Sequence, residues 1–113
     1  MKSKIVALSR NEDFKHLLKG KKISNRYSTI FFNKILDKDI KKLNISFVTK
    51  KKIGNAVKRN KIKRRLRNIM NDAIKKLTLN LNYSYLVIAK ITMLNNEYAK
   101  IKEVLFADFK RIN

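Results

Sequence analysis

The sequence predicts a single α+β domain over residues 1–113, a two-layer fold in which helices cover a small mixed sheet in the order α-β-β-(β)-α-β-α. Three observations carry that prediction. Short segments rich in β-branched and aromatic residues (Tyr27–Ile35, Leu43–Thr49, Tyr83–Lys90) alternate with segments whose apolar residues recur at helical spacing. At 113 residues the chain can bury one modest core but not two. Its hydrophobic residues make up 44% of the total, enough to offset chain entropy and to exclude a basic disordered tail.

The elements follow in order. Ser9-Arg10-Asn11-Glu12 has capping-box spacing, and Glu12 and Asp13 suit the positive end of a helix dipole. That helix covers about Asn11–Lys19 and stops near Gly20. Lys22–Ser24 adds a short edge strand, and Tyr27–Ile35 reads as the first long strand. Asp37-Lys38-Asp39 makes a polar turn, after which Leu43–Thr49 alternates and is expected to return as the antiparallel partner. Gly54 permits a turn that other residues resist, and Asn55 is a good N-cap. A helix from Ala56 to about Leu77 carries the stripe Ile62, Leu66, Ile69, Ala73 and Leu77. Tyr83–Lys90 is almost continuously apolar, as a strand inside a sheet should be. Asn95 or Asn96 caps a last helix with Tyr98, Ile101, Leu105, Phe109 and Ile112 on one face, over a sheet of three or four strands.

Charge then narrows the function. The chain holds 29 Lys and Arg against 8 Asp and Glu, a formal net charge of +21. Such a chain repels itself, so its basicity serves a polyanionic partner rather than folding. No cysteine is present, which removes disulfides, thiolate metal sites and a thiol nucleophile, and fits a reducing cytoplasm. Near the N-terminus the only apolar run is Ile5–Leu8, too short for a signal-peptide core. No segment approaches the roughly 18 apolar residues of a membrane span. The expectation is a cytoplasmic protein without a membrane partner.

The densest charge lies in Lys50–Arg67, KKKIGNAVKRNKIKRRLR. At about 100° per residue the apolar stripe occupies one side of the helix, and Asn60, Arg64, Arg67 and Asn71 line the other, flanked by Lys61 and Lys63. Surface helices ordinarily mix charge signs, yet no Asp or Glu occurs between Lys50 and Asn71. Arg and Lys neutralise phosphates, Asn can bond sugar, phosphate or base, and the helix N-terminus itself attracts phosphate. Nucleic acid is the partner this surface fits.

The segment KKIGNAVKRNKIKRRLR resembles the signature of the bacterial ribonuclease P protein subunit, a Gly-Asn-Ala-Val turn followed by an Arg-Asn-Arg helix. Asn11-Glu12-Asp13-Phe14, Asn25-Arg26 and YSYLVIAK extend the resemblance over most of the chain. The resemblance implies a small basic subunit of a ribonucleoprotein endonuclease, whose RNA subunit uses Mg²⁺ to remove the 5′ leader from precursor tRNA. It implies a left-handed βαβ crossover around the basic helix, against the usual handedness. It places Lys52, Asn55, Arg59, Asn60, Lys61, Lys63, Arg64 and Arg67 against the catalytic RNA. It places Phe14, Leu18, Arg26 and Phe31 at a cleft for the single-stranded leader, and strand alternation adds Tyr27 and Thr29, which are expected to share the sheet face of Phe31. It implies a monomer in a one-to-one complex with the RNA. Lys61 stands where the family has the second Arg of its triplet, keeping the charge but not the forked hydrogen-bond geometry. Leu18 replaces a common aromatic and offers only apolar contact.

The chain offers no protein active site and no cofactor motif. Its acidic residues (Glu12, Asp13, Asp37, Asp39, Asp72, Glu97, Glu103 and Asp108) are scattered, whereas a protein nuclease needs clustered carboxylates for Mg²⁺ or an acid–base pair. His16, the one histidine, has no partner in sequence and reads as a solvated helix residue. A structural RNA-binding protein of ribosomal type is the competing reading. A helix-turn-helix DNA binder fits poorly, because a strand leads directly into the basic helix.

Overall fold

The computed structural model describes residues 5–8, 11–35 and 42–112. Its elements are β1 (Ile5–Val6), α1 (Asn11–Leu18), β2 (Lys21–Ser24), β3 (Ser28–Lys34), β4 (Leu43–Val48), α2 (Ala56–Lys76), β5 (Tyr83–Ala89) and α3 (Tyr98–Arg111), with single 3₁₀ turns at Lys51–Ile53 and Ile91–Met93. The capping residues Ser9 and Arg10 and the turn Asp37-Lys38-Asp39 lie outside the described residues.

β5 sits at the centre of the sheet because its residues are apolar on both sides and need cover on both faces. The sheet has five strands in the order β1-β4-β5-β3-β2. β5 pairs antiparallel with β3 and parallel with β4, so β4 is not the neighbour of β3 that alternation had suggested. Alternation reports which faces are buried but not which strand lies alongside, and the apolar β5 claims the position between them. The fifth strand is β1, only two residues long and parallel to β4 through Ile5↔Leu43 and Val6↔Asn44. A two-residue strand carries no period and leaves no sequence signal.

The main core lies between the sheet and the pair α2–α3. Ile30, Phe32, Ile45, Tyr85 and Val87 from the strands meet Ile62, Leu66, Ile69, Met70 and Ala73 of α2 and Ile101, Leu105 and Phe109 of α3. Leu77, the last residue of the predicted stripe, is the C-cap of α2 and is partly buried. Burying each large apolar side chain contributes about 1.5–3 kcal/mol. Aromatic edges join the layers: Tyr85 meets Phe109 at 5.3 Å between centroids and Tyr83 at 6.5 Å. α3 is tied to α2 by Lys102 Nζ to Asp72 Oδ2 at 2.7 Å, and Arg65 Nη1 donates to the Asn96 carbonyl at 3.1 Å. Arg65 therefore serves structure and stands off the solvent-facing ridge. The N-cap of α3 is Glu97 with no side-chain cap, in place of the expected asparagine. The Asn96 side chain donates to the Thr92 carbonyl one turn back instead.

On the opposite sheet face α1 covers only part of the surface. Leu17 and Leu8 pack on Leu86, and Phe14, Phe31, Val48 and Ile88 border them. The α1–β2 turn lies hard against β3: a Cβ on Gly20 would stand 2.4 Å from the Phe32 carbonyl oxygen. Only glycine permits that approach.

Candidate nucleic-acid interface

The basic helix begins where the sequence placed it. Gly54 has φ 155°, a conformation that L side chains rarely adopt, and it redirects the chain out of the preceding turn. Asn55 then caps α2, its Oδ1 accepting from the Lys58 N–H at 3.0 Å. Ile62, Leu66, Ile69 and Ala73 are buried, which fixes the rotation of the helix and turns the rest outward. Lys52, Asn55, Asn60, Lys61, Lys63, Arg64, Arg67 and Asn71 are exposed, and Arg59 is partly buried. None of the six cations among the predicted contacts (Lys52, Arg59, Lys61, Lys63, Arg64 and Arg67) has an ion-pair partner among the described residues. The helix presents open N–H groups at its start and a band of unneutralised charge along its length.

That band does not stand apart from the aromatic side of the molecule. Lys63, Arg67 and Asn71 line a groove of about 690 Å³ together with Phe14, Leu8 and Val48. The groove opens where β1 ends: among the described residues no strand flanks the outer side of β4 past Asn44. Phe14 and Phe31 both border the small cluster under α1, each partly buried, so each combines packing with some open ring surface. Leu18 is 54% exposed at the end of α1.

Strand register shows what else shares that face. Ser24, Thr29, Ile88 and Val48 are Cα partners across β2, β3, β5 and β4, forming one cross-strand row on the side of Phe31 and Leu86. Beyond the row Lys50, Lys52, Lys90 and Ile91 rim a hollow of about 440 Å³ whose floor includes Thr29 and Ile88. Lys90 is held in place by bonds from its Nζ to Ser24 Oγ at 2.9 Å and to the Asn25 carbonyl at 2.6 Å. Lys90, Val48 and Ile88 were not predicted as site residues. Parity along β4 and β5 could have found the two apolar ones once the strand neighbours were known.

Tyr27 is a correction. It is 2% exposed and belongs to the main core, on the face opposite Phe31. Asn25 is the cause: its Oδ1 accepts from the backbone N–H of both Tyr27 and Ser28 at 2.7 Å, and its Nδ2 reaches Asp108 at 2.7 Å. This Asx turn delays the strand until Ser28, so the alternation that would pair Tyr27 with Thr29 has not begun. Arg26 is exposed in the same turn, its carbonyl accepting from Thr92 Oγ1 at 2.6 Å. His16 is a second correction: partly buried, its Nε2 stands 2.7 Å from the Lys34 carbonyl, to which it donates.

The described residues contain no group of three or more His, Cys, Asp or Glu placed to hold a metal ion. Among them no helix is long and apolar enough to cross a membrane. Two titrating groups are displaced for structural reasons. Lys102 holds the Asp72 carboxyl below its ordinary range, and burial pushes the Tyr85 phenol above its own. Tyr85 satisfies its hydroxyl on the Asn80 carbonyl at 2.6 Å.

Comparison with known proteins joins this geometry to a family. A family model described as Ribonuclease P matches residues 3–113. The ribonuclease P protein component of Carboxydothermus hydrogenoformans is 34% identical over 102 residues, covering 87% of this chain and 83% of the relative. That of Mycoplasma mycoides is 31% identical over 112 residues, 99% of each chain. Among solved structures, the RNase P protein of Thermotoga maritima superposes with a TM-score of 0.80 at 26% identity, covering 96% of this chain and 98% of its own. The Staphylococcus aureus protein superposes with a TM-score of 0.76 at 26% identity over 94% and 93%.

Proposed function

The chain belongs to the ribonuclease P protein family, and on that premise we propose that it is the RNA-binding subunit that assists a catalytic RNA in removing the 5′ leader from precursor tRNA. The single observation that carries the reading is the face of α2, where exposed cations and amides run without a carboxylate among them and without ion-pair partners among the described residues. Held against RNA, Lys52, Arg59, Lys61, Lys63, Arg64 and Arg67 exchange condensed counterions for fixed cations, while Asn55 and Asn60 add hydrogen bonds.

The substrate's leader occupies the other side. Phe14, Phe31, Leu18 and Thr29 border a partly apolar surface under and beside α1, where unpaired bases can stack or pack. Arg26 stands exposed near its edge, and Tyr27 contributes from the core as support for β3 rather than by contact. The groove shared by Phe14, Lys63 and Arg67 makes the two surfaces continuous, so one protein can hold the catalytic RNA and the strand that RNA must cut.

In this reading the protein binds and orients. The RNA supplies the Mg²⁺-dependent hydrolysis, and the protein acts as one copy per RNA in the cytoplasm. Reconstitution tests it directly: added to a ribonuclease P RNA at low Mg²⁺, the protein restores 5′-leader removal from precursor tRNA. Association with ribosomal RNA and no rescue of cleavage would overturn the reading.

A further inference from the structure

At the far end of β3 from the groove of Phe14 lies a second basic concavity that the reading above does not use. It measures about 400 Å³ and is lined by Lys19, Lys21, Lys34 and Tyr83, with Phe32 and Asn33. The hollow is firmly built. Nε2 of His16 donates to the Lys34 carbonyl at 2.7 Å, and Asn33 Nδ2 donates to the His16 carbonyl at 2.9 Å, clamping the end of α1 to the end of β3. Gly20 lets the intervening turn lie against the Phe32 backbone. Tyr83 packs edge-on against Phe32, with ring centroids 5.5 Å apart, and stays partly exposed.

Its chemistry is specific in kind. Three lysines without an ion-pair partner among the described residues surround an aromatic ring. Cations beside an aromatic face suit a single-stranded nucleotide, phosphate on the ammonium groups and base on the ring. A duplex would offer the ring no base face.

The path to the hollow begins in the leader cleft. α1 carries Phe14 near one end and leads, about 1.5 Å per residue, to the exposed Leu18 and to Lys19 at the other. Lys22 is the register partner of Phe31, shares its sheet face and is exposed at the edge strand. Lys21, Phe32 and Tyr83 belong to the opposite sheet face, so a strand leaving Phe14 and Phe31 reaches the hollow by turning around the edge strand β2 past Lys22.

We propose that this hollow binds a nucleotide of the single-stranded 5′ leader, distal to the stretch seated between α1 and the sheet; the proposal rests on the leader reading above. The test uses the holoenzyme and two precursor tRNAs, one with a long leader and one with a leader too short to pass Phe14. Lys19→Gln with Lys21→Gln lowers the log–log salt slope of long-leader binding by about 0.7 for each phosphate that goes unneutralised, and leaves the short-leader slope unchanged. Tyr83→Leu weakens long-leader binding about tenfold and spares the short leader. A charge-matched control, Lys75→Gln with Lys100→Gln, leaves both unchanged. Equal losses on both substrates, or weaker binding of the catalytic RNA alone, would mean that the hollow serves the catalytic RNA and would overturn the proposal. So would no loss in either variant while the wild-type enzyme still favours the long leader. If the wild-type enzyme binds both substrates alike, the leader reading itself fails, and this proposal with it.

Discussion

Replacing Arg64 and Arg67 together by alanine separates the two surfaces. Both side chains are exposed on α2 and have no ion-pair partner among the described residues, so their removal leaves the core packing of Ile62, Leu66 and Ile69 intact. Surface changes of this kind alter stability by about 0.5 kcal/mol or less, and the urea midpoint stays put. Binding to the catalytic RNA responds instead. Each neutralised phosphate contributes about 0.7–0.9 to the log–log salt slope, so removing two cations flattens it by about 1.4–1.8. Between 50 and 200 mM salt, a fourfold rise, the affinity of the wild type therefore falls about seven- to twelvefold more than that of the variant. Filter binding or fluorescence anisotropy with the isolated catalytic RNA over that range measures it. Phe14→Ala is the paired experiment: it leaves this titration unchanged and weakens binding of leader-bearing precursor tRNA by the ~1–3 kcal/mol of one stacked base. An unchanged slope in the double-arginine variant would remove the argument from the basic face. Equal effects of both variants on both RNAs would refute the division into two surfaces.

Other outcomes follow from the geometry. Asn55→Ala removes the acceptor of the Lys58 N–H and costs about 1 kcal/mol, read as a shift in denaturant midpoint with unchanged slope. Gly54→Ala forces a side chain into φ 155° and against Lys58, and destabilises by about 1–3 kcal/mol; a neutral result would show that the turn can relax. Leu66→Ala opens a cavity where the side chain is fully buried and costs about 2–5 kcal/mol by thermal or urea unfolding. The Asp72 carboxylate has its folded pKa lowered below 3.8 by Lys102, so its contribution is present above the ordinary carboxylate range and is lost as pH falls through that range and below. Asp72→Asn accordingly removes part of the acid dependence of stability below about pH 4 and, because Asp72 is what raises Lys102, also removes the part of the loss that sets in as pH rises past the ordinary lysine range.

The sequence alone determined the helices, the existence of the long strands and the basic face. Helical periodicity is local: Ile62, Leu66 and Ile69 must turn to one side wherever α2 packs, so Asn60, Arg64 and Arg67 must turn to the other. Gly54 and Asn55 were legible for the same reason, since a turn and a cap are settled within four residues. Arg65 was the limit of that reasoning, because its fate was decided by Asn96 on a distant loop.

The tertiary structure decided whatever depends on neighbours far apart in the chain. It put β5 between β3 and β4, added β1, and left the edge of β4 open into the groove where Phe14 meets Lys63 and Arg67. It moved Tyr27 to the core, because one Asx turn shifts the start of alternation, and a one-residue shift exchanges the faces of a strand. It gave His16 a partner on β3 that no spacing announced. Periodicity assigns a residue to a side of its own element, but a site is made of sides that meet, and which sides meet is fixed only when the strands choose their order.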